Sequence, residues 1–391
     1  MIDEGRLLQN LRTFSFPRLS GTEFEKKSFT MARQKIESFN LTPRAQEFVF
    51  STFYSRVYPK ISLALLFWII LALYLNFNSI FTITSLIIGI SLLFSLIALT
   101  RSPEKIKIGK KYHSQNLYVK IPSKYNQKTT QDEVLEDFMD KRKKIFLFSH
   151  LDSKGQLISI KIRVLSYKIW IISFPISLLI NTVNSFIVYK ANLMFNNFAI
   201  LILSINFMTT GVILLNSTNN KSKGAIDDAS GISCLMELIK YYLNHENRLQ
   251  SLDLYFVFTG AEESGTMGIR NFYNYIKNCD REKTFIINFD AIAKKVNLWD
   301  SGLLDNKNFK SYMYLLENKD ILIREKARRF YIGTYSDGIY LLNHKFQGIG
   351  NGDKSSYNYV HSVNDSVDKV DVSVLKKLCY FYIMLLNDLD Q

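Results

Sequence analysis

Apolar and polar positions are sharply segregated along this chain. Residues 61–77 and 80–99 contain no charged side chain, and only Asn78 and Ser79 lie between them. A second pair of runs, 169–189 and 195–215, is joined by a short link containing Lys190. At about 1.5 Å per residue, each run is close to the length that crosses a hydrocarbon layer of roughly 30 Å. Pro175 in the third run is tolerable in a membrane helix, where neighbours can satisfy the freed carbonyl. Core helices of a soluble protein rarely run so far without charge. The pattern therefore predicts two hairpins and four transmembrane helices.

The segments between these runs change period. Ser20 or Thr22 can cap a helix reaching about Phe39, with Glu23 and Glu25 in its first turn. Residues 45–54 are β-prone and partly alternating, and short apolar strands are predicted at 116–121, 145–149, 254–258 and 285–289. Helical patterns cover 230–243, 265–277, 308–329 and 370–386, while the charged stretch 132–144 reads as a solvated helix face. Near-continuous apolar strands alternating with helices predict an α/β fold. Its central sheet would be mixed but mostly parallel, with helices on both faces.

Composition narrows the class. With 391 residues, one large domain with additions, or two domains, is expected. A hydrophobic share of 47% excludes a disordered chain, and 17 Gly with 6 Pro exclude a collagen-like fibre. Cys234, Cys279 and Cys379 are too few and too scattered for a disulfide scaffold or a cysteine-built zinc site. The net charge of +14 has a home beside the apolar runs, where Arg56, Lys60, Arg101, Lys105, Lys107, Lys110, Lys111, Arg163, Lys168, Lys221 and Lys223 cluster. Such flanks suit anionic lipid headgroups and place the polar mass on the cytoplasmic side. The chain carries no recognisable nucleic-acid module, so the lipid bilayer is the expected partner of this charge and no nucleic acid is expected. The first residues, MIDEGRLLQNL, lack the short apolar run of a signal peptide.

Candidate chemistry falls where strands end. The predicted strand IFLFS runs into His150-Leu151-Asp152-Ser153, and LYFVF into Thr259-Gly260-Ala261-Glu262-Glu263-Ser264-Gly265. FIINF ends in Asp290, and Asp227-Asp228 precede the helix at 230. Near the C-terminus, His361 and Asp365 follow a glycine-rich loop. Taken singly these residues have plain readings. A histidine at a strand end is usually a hydrogen-bonded structural residue, Asp227-Asp228 could only cap a helix, and Glu262-Glu263 could be solvated. Asp290 is harder to dismiss, because an isolated buried carboxylate is unfavourable. Together, imidazoles and carboxylates from five loops suit zinc, with a spare carboxylate to take a proton from water.

HLDS, DDASG, GAEESG, NFD and VHSVNDSVDKVD, in this order, resemble the zinc aminopeptidase family that also contains glutamate carboxypeptidase and the transferrin receptor. The likeness covers roughly 8–54, 113–163 and 220–388, and Pro17-Arg18-Leu19-Ser20-Gly21-Thr22 fits the family's first helix start. The resemblance implies a zinc-dependent exopeptidase fold and two zinc ions. His150 and Asp290 would hold one, Glu263 and His361 the other, and Asp227 would bridge. It implies Glu262 as general base, Asp152 as the acid orienting His150, and a cis peptide at Asp227–Asp228. The expected activity is removal of N-terminal residues from a peptide or aminoacyl substrate. Two alternatives stand beside it: a non-catalytic membrane scaffold, and a related amidase or glutaminyl cyclase-like enzyme.

The chain departs from the family in three places. His150 and Asp227 are 77 positions apart; without the 56 residues of 164–219 they would be 21 apart, an ordinary spacing. The second hairpin is therefore read as an insertion. The division expected is 1–60, 100–163 and 220–391 as peptidase domain, with hairpins at 61–99 and 164–219. The family's Ser-Asp-His is Ser336-Asp337-Gly338 here, and the frequent Tyr before the last ligand is Val360. Tyr335 is the remaining candidate for oxyanion stabilisation. His113, His245 and His344 match nothing and read as structural.

Overall fold

Alternating strand and helix periods resolve into a sheet whose parallel centre gathers the chain's acidic loops. The structure, a computed structural model, describes residues 1–126, 138, 142–186, 193–302, 322–328 and 335–391. It has two compact units: Met1–Phe50, Tyr112–Gln156 and Asn219–Gln391 form one, and Ser51–Lys111 with Leu157–Thr218 form the other.

Eight strands build the first unit's sheet: β1 (Arg44–Ser51), β2 (Lys111–Ile121), β3 (Lys144–His150), β4 (Asp253–Thr259), β5 (Thr284–Phe289), β6 (Val296–Asp300), β7 (Leu322–Lys326) and β8 (Gln347–Gly352). Their order is β1-β2-β4-β3-β5-β8-β6-β7. The four strands β4, β3, β5 and β8 run parallel, β2 and β6 pair antiparallel with β4 and β8, and β7 is parallel to β6. The sheet is mixed and mostly parallel, as the sequence pattern predicts. Helices α1 (Glu4–Phe14) and α2 (Glu23–Glu37) precede the first strand. The second unit holds α3 (Tyr58–Leu75), α4 (Ser79–Leu99), α5 (Ile160–Phe186) and α6 (Leu193–Leu215). Helices α7 (Ser230–Leu243), α8 (Met267–Ile276), α9 (Asp337–Asn343) and α10 (Val372–Leu389) alternate with the later strands.

The central strands are apolar on both faces because both are covered. Phe146, Phe148, Tyr255, Val257 and Ile286 pack with Ile269, Phe272 and Ile276 of α8 and Tyr340 and Leu341 of α9. Their neighbours in the strands, among them Ile145, Leu147 and Phe256, are equally buried and point the other way, where α7 packs against β3.

Three expectations change. Within the predicted helix 308–329, Leu322–Lys326 is an edge strand, β7; residues 308–321 and 329 lie outside the described residues. Pairing with β6 decides the conformation of that short stretch over its helical pattern. The glycine-rich loop before His361 is strand β8. Its glycines permit close packing rather than a turn, since a Cβ on Gly348 would collide with the Ile286 carbonyl of β5. Of the charged stretch 132–144, residues 132–137 and 139–141 lie outside the described residues. Phe138 is buried and Lys144, the first residue of β3, donates to its carbonyl at 2.9 Å.

In the second unit all four helices are long and apolar enough to cross a membrane, by length and composition. Their outward residues include Ile80, Ile87, Phe94, Ile172 and Leu179, whereas Thr82, Ser173, Asn181 and Asn206 are turned inward. Ser173 Oγ donates to Asn206 Oδ1 at 3.3 Å, and Asn181 donates to the Ser177 carbonyl at 2.7 Å. Apolar outside and polar inside inverts the arrangement of a soluble bundle. Lys190 lies outside the described residues.

Candidate metal centre

Parallel strands deliver their C-terminal ends to one edge of the sheet. His150 is the last residue of β3, in register with Thr259 at the end of β4. Asp290 follows β5 directly, and Glu262 and Glu263 open the short turn Glu262–Ser264 after β4. Asp227 comes from the turn before α7. That turn is entered through Gly224, at φ +58°, where a Cβ would meet both Ser153 and the Asp227 carbonyl. The Asp227–Asp228 peptide is cis. His361 sits in a loop with φ 62°.

The structure brings the five expected ligands together in two groups that share one residue. His150, Asp227 and Asp290 offer donor atoms within 4.8 Å of one another, and so do Asp227, Glu263 and His361. Asp227 Oδ1 lies 2.8 Å from His150 Nε2, and its Oδ2 lies 3.1 Å from His361 Nε2. Asp290 Oδ1 is 4.0 Å from His150 Nε2, and Glu263 Oε1 is 2.9 Å from His361 Nε2. Glu263 Oε1 is buried and makes no hydrogen bond of good geometry. Each imidazole turns its other nitrogen to a fixed acceptor: His150 Nδ1 to the Asp152 carbonyl at 3.1 Å, His361 Nδ1 to Gln156 Oε1 at 3.0 Å. Both Nε2 atoms therefore face the carboxylates.

The surroundings hold this geometry. Asp152, fully buried, accepts from the backbone N–H of Glu262 at 3.1 Å and of Glu263 at 3.0 Å, and from Ser20 Oγ. Its Oδ1 is 3.3 Å from His150 Nδ1. Asp228 accepts from Ser149 Oγ at 2.6 Å, His150 N–H at 3.1 Å and Gly231 N–H at 3.0 Å. Arg18 is wholly buried and donates to the carbonyls of Leu151, Phe14, Phe16, Lys223 and Gly224 at 2.6–3.2 Å. It ties the His150 segment to the Asp227 turn. Lys154 Nζ lies 2.6 Å from Glu263 Oε2. Lys154 and Gln156 had no assigned role in the sequence reading, Asp228 was only part of a capping pair and of the implied cis peptide, and Arg18 was only part of a helix start. Arg18 and Asp228 lay inside quoted motifs that could have flagged them, and Lys154 and Gln156 did not.

Charge and burial act against each other here. Burial raises the Glu262 carboxyl well above the carboxylate range, with Glu263, Asp337 and Asp290 adding to it against His150. Asp290 is raised well above for the same first reason, with Asp227 next. For Asp227 burial also opposes ionisation, but His150 and His361 outweigh it and hold it well below. Burial disfavours a charged His150, yet hydrogen bonds to Asp152 and Asp227 raise it well above its ordinary value. So many ionisable groups in one buried cluster, two of them imidazoles held in fixed orientation, form a set that suits a divalent cation.

The remaining candidates are placed as follows. Tyr335 is 44% exposed, with the Arg270 guanidinium 5.9 Å from its ring centre. Asp337 accepts from Thr259 Oγ1 at 2.5 Å, and burial raises its carboxyl to about 6. His344 turns its Nδ1 to the Tyr340 carbonyl at 2.8 Å and packs at a tilt against the rings of Tyr340 and Tyr273.

Residues 208–385 match the family model of peptidase family M28. Four of the five motifs, DDASG, GAEESG, NFD and VHSVNDSVDKVD, fall inside the matched residues, and HLDS falls before them. The fold is shared with three solved structures at low identity. An aminopeptidase from Aneurinibacillus sp. strain AM-1 has a TM-score of 0.55 at 13% identity, covering 98% of this chain and 93% of its own. BSAP, a zinc aminopeptidase from Bacillus subtilis, has a TM-score of 0.53 at 11% identity, covering 100% and 95%. Fimbriiglobus ruber glutaminyl cyclase has a TM-score of 0.53 at 12% identity, covering 99% and 95%. The comparison with curated proteins finds no match. The M28 match supports a peptidase-type hydrolase and implies a metal cofactor.

Proposed function

We propose that this chain is a membrane-embedded dizinc aminopeptidase whose catalytic unit faces the cytoplasm. The observation that carries the proposal is Asp227, whose two oxygens face the Nε2 atoms of two different histidines at 2.8 and 3.1 Å. Three carboxylates and two imidazoles are a donor set that zinc accepts, and Glu263 Oε1, buried and without a hydrogen bond of good geometry, fits a cation ligand. His150 and Asp290 would hold one zinc, Glu263 and His361 the other, with Asp227 shared. When bound, such ions polarise a carbonyl and acidify water.

The chain's own residues supply the rest. Glu262 takes a proton from the attacking water at its carboxylate and returns it to the leaving amine. A carboxyl raised by burial suits a group that must both accept and release a proton. Asp152 keeps the Glu262–Glu263 turn in place through their N–H groups and orients His150. Tyr335 is the candidate hydroxyl for the developing oxyanion. The substrate class is a peptide or aminoacyl amide with a free N-terminus. Four apolar helices support the membrane location, and the basic residues flanking them support the cytoplasmic side.

Glu262→Gln tests the reading. Turnover of aminoacyl amides should fall by about 10²–10⁴-fold with zinc content still near two per chain. Full activity in that variant, or cleavage of N-acylated amides in preference to free amines, would overturn the proposal.

A further inference from the structure

Residues 150, 152, 154 and 156 of one short segment all reach the ligand cluster. His150 and Asp152 have roles above; Lys154 and Gln156 both support the other group. Lys154 Nζ is 2.6 Å from Glu263 Oε2 and 3.4 Å from the Glu263 carbonyl oxygen, and its side chain is 15% exposed. Glu263 Oε1, 2.9 Å from His361 Nε2, makes no good hydrogen bond. One oxygen of the carboxylate is thus engaged by the ammonium, and the other faces the His361 imidazole. Asp290, its counterpart beside His150, has a 23% exposed side chain.

We propose that Lys154 is a positioning residue that fixes Glu263 as a one-oxygen ligand and so sets metal affinity at the Asp227–Glu263–His361 position alone. The inference rests on the dizinc reading. Two effects of an ammonium compete at such a place. Its charge repels a nearby dication, while its hydrogen bond stops the carboxylate rotating or closing on the metal with both oxygens. The charge is already paired with the carboxylate it touches, so its field at the cation is largely offset. Orientation is what remains, and hydrogen-bond partners of metal ligands typically control affinity by about 10–100-fold.

The test uses the full chain in detergent, stripped by a chelator and titrated with Zn²⁺ by calorimetry. Wild type should take up two ions. Lys154→Met should weaken one binding step by about 10–100-fold and leave the other within a few-fold. Lys154→Arg should bind as wild type does, and thermal unfolding of the metal-free Lys154→Met protein should be unaltered. If Lys154→Met does not fold, Lys154→Gln is read by the same outcomes. Two unchanged steps, two equally weakened steps, or one tightened step would each overturn the role of Lys154 while leaving the dizinc reading intact. Uptake of one ion or none by wild type would overturn both.

Discussion

The two halves of the candidate metal centre use the same donors but are built differently. On one side His150 ends a central parallel strand, is 2% exposed, and is held by Asp152 and through its N–H by Asp228. Both supports come from the sheet edge and the adjacent turn. On the other side His361 lies in a loop at positive φ, and its side chain is 15% exposed. Its steadiness is borrowed from Gln156, and that of Glu263 from Lys154. A strand end fixes a ligand by backbone pairing, whereas a loop ligand needs side-chain ties of its own. The sheet-edge half should therefore tolerate loss of one outer partner better than the loop half.

Asp227 belongs to neither half alone, so its removal should have the largest effect. Asp227→Ala deletes the carboxylate that, among the described residues, faces both imidazoles. Zinc content should fall from two towards zero, and turnover by roughly a thousandfold or more, as when a group on which the whole site depends is removed. Retention of one tightly held ion would show that one half stands without the shared residue.

How much of this could be read from the sequence depended on range. His150 and Asp290 were visible because they stand at the end of an apolar strand, and Glu262 and Glu263 because they come within four residues of one, where burial of the strand limits where the next side chains go. Asp227 and His361 needed the ordered motifs, since nothing local distinguishes a capping aspartate or a loop histidine from a ligand. The supports were invisible for a physical reason. Lys154 meets Glu263 across 109 positions and Gln156 meets His361 across 205, and no periodicity encodes such pairs. The same holds for β8, whose glycines read as a turn until the Ile286 carbonyl is seen against Gly348. The edge strand β7 likewise depends on its pairing with β6.

Arg18 gives the next largest effect and acts on both halves. Its guanidinium holds the Leu151 carbonyl beside His150 and the Lys223 and Gly224 carbonyls leading to Asp227. Arg18→Met keeps much of the volume but takes the guanidinium from the Leu151 and Lys223 carbonyls and leaves Gly224 with only the Ala229 N–H. A loss of about 3 kcal/mol in stability is expected, read as a lower melting temperature of the metal-free protein. Both zinc-binding steps should weaken together. Weakening confined to one step would mean that Arg18 serves a single half, contrary to its contacts.

The smallest effect should fall on the loop half alone. Gln156 Oε1 accepts from His361 Nδ1 at 3.0 Å, and the Gln156 N–H donates to the His361 carbonyl at 2.8 Å. Gln156→Ala keeps the backbone bond and removes only the side-chain acceptor. The imidazole then has no fixed tautomer but stays in place, so one zinc step should weaken by about tenfold, the lower end for an outer partner. Gln156→Glu replaces the acceptor and should restore it. If Gln156→Ala binds zinc as wild type does, His361 is held by its loop as firmly as His150 is by its strand, and the contrast between the halves fails.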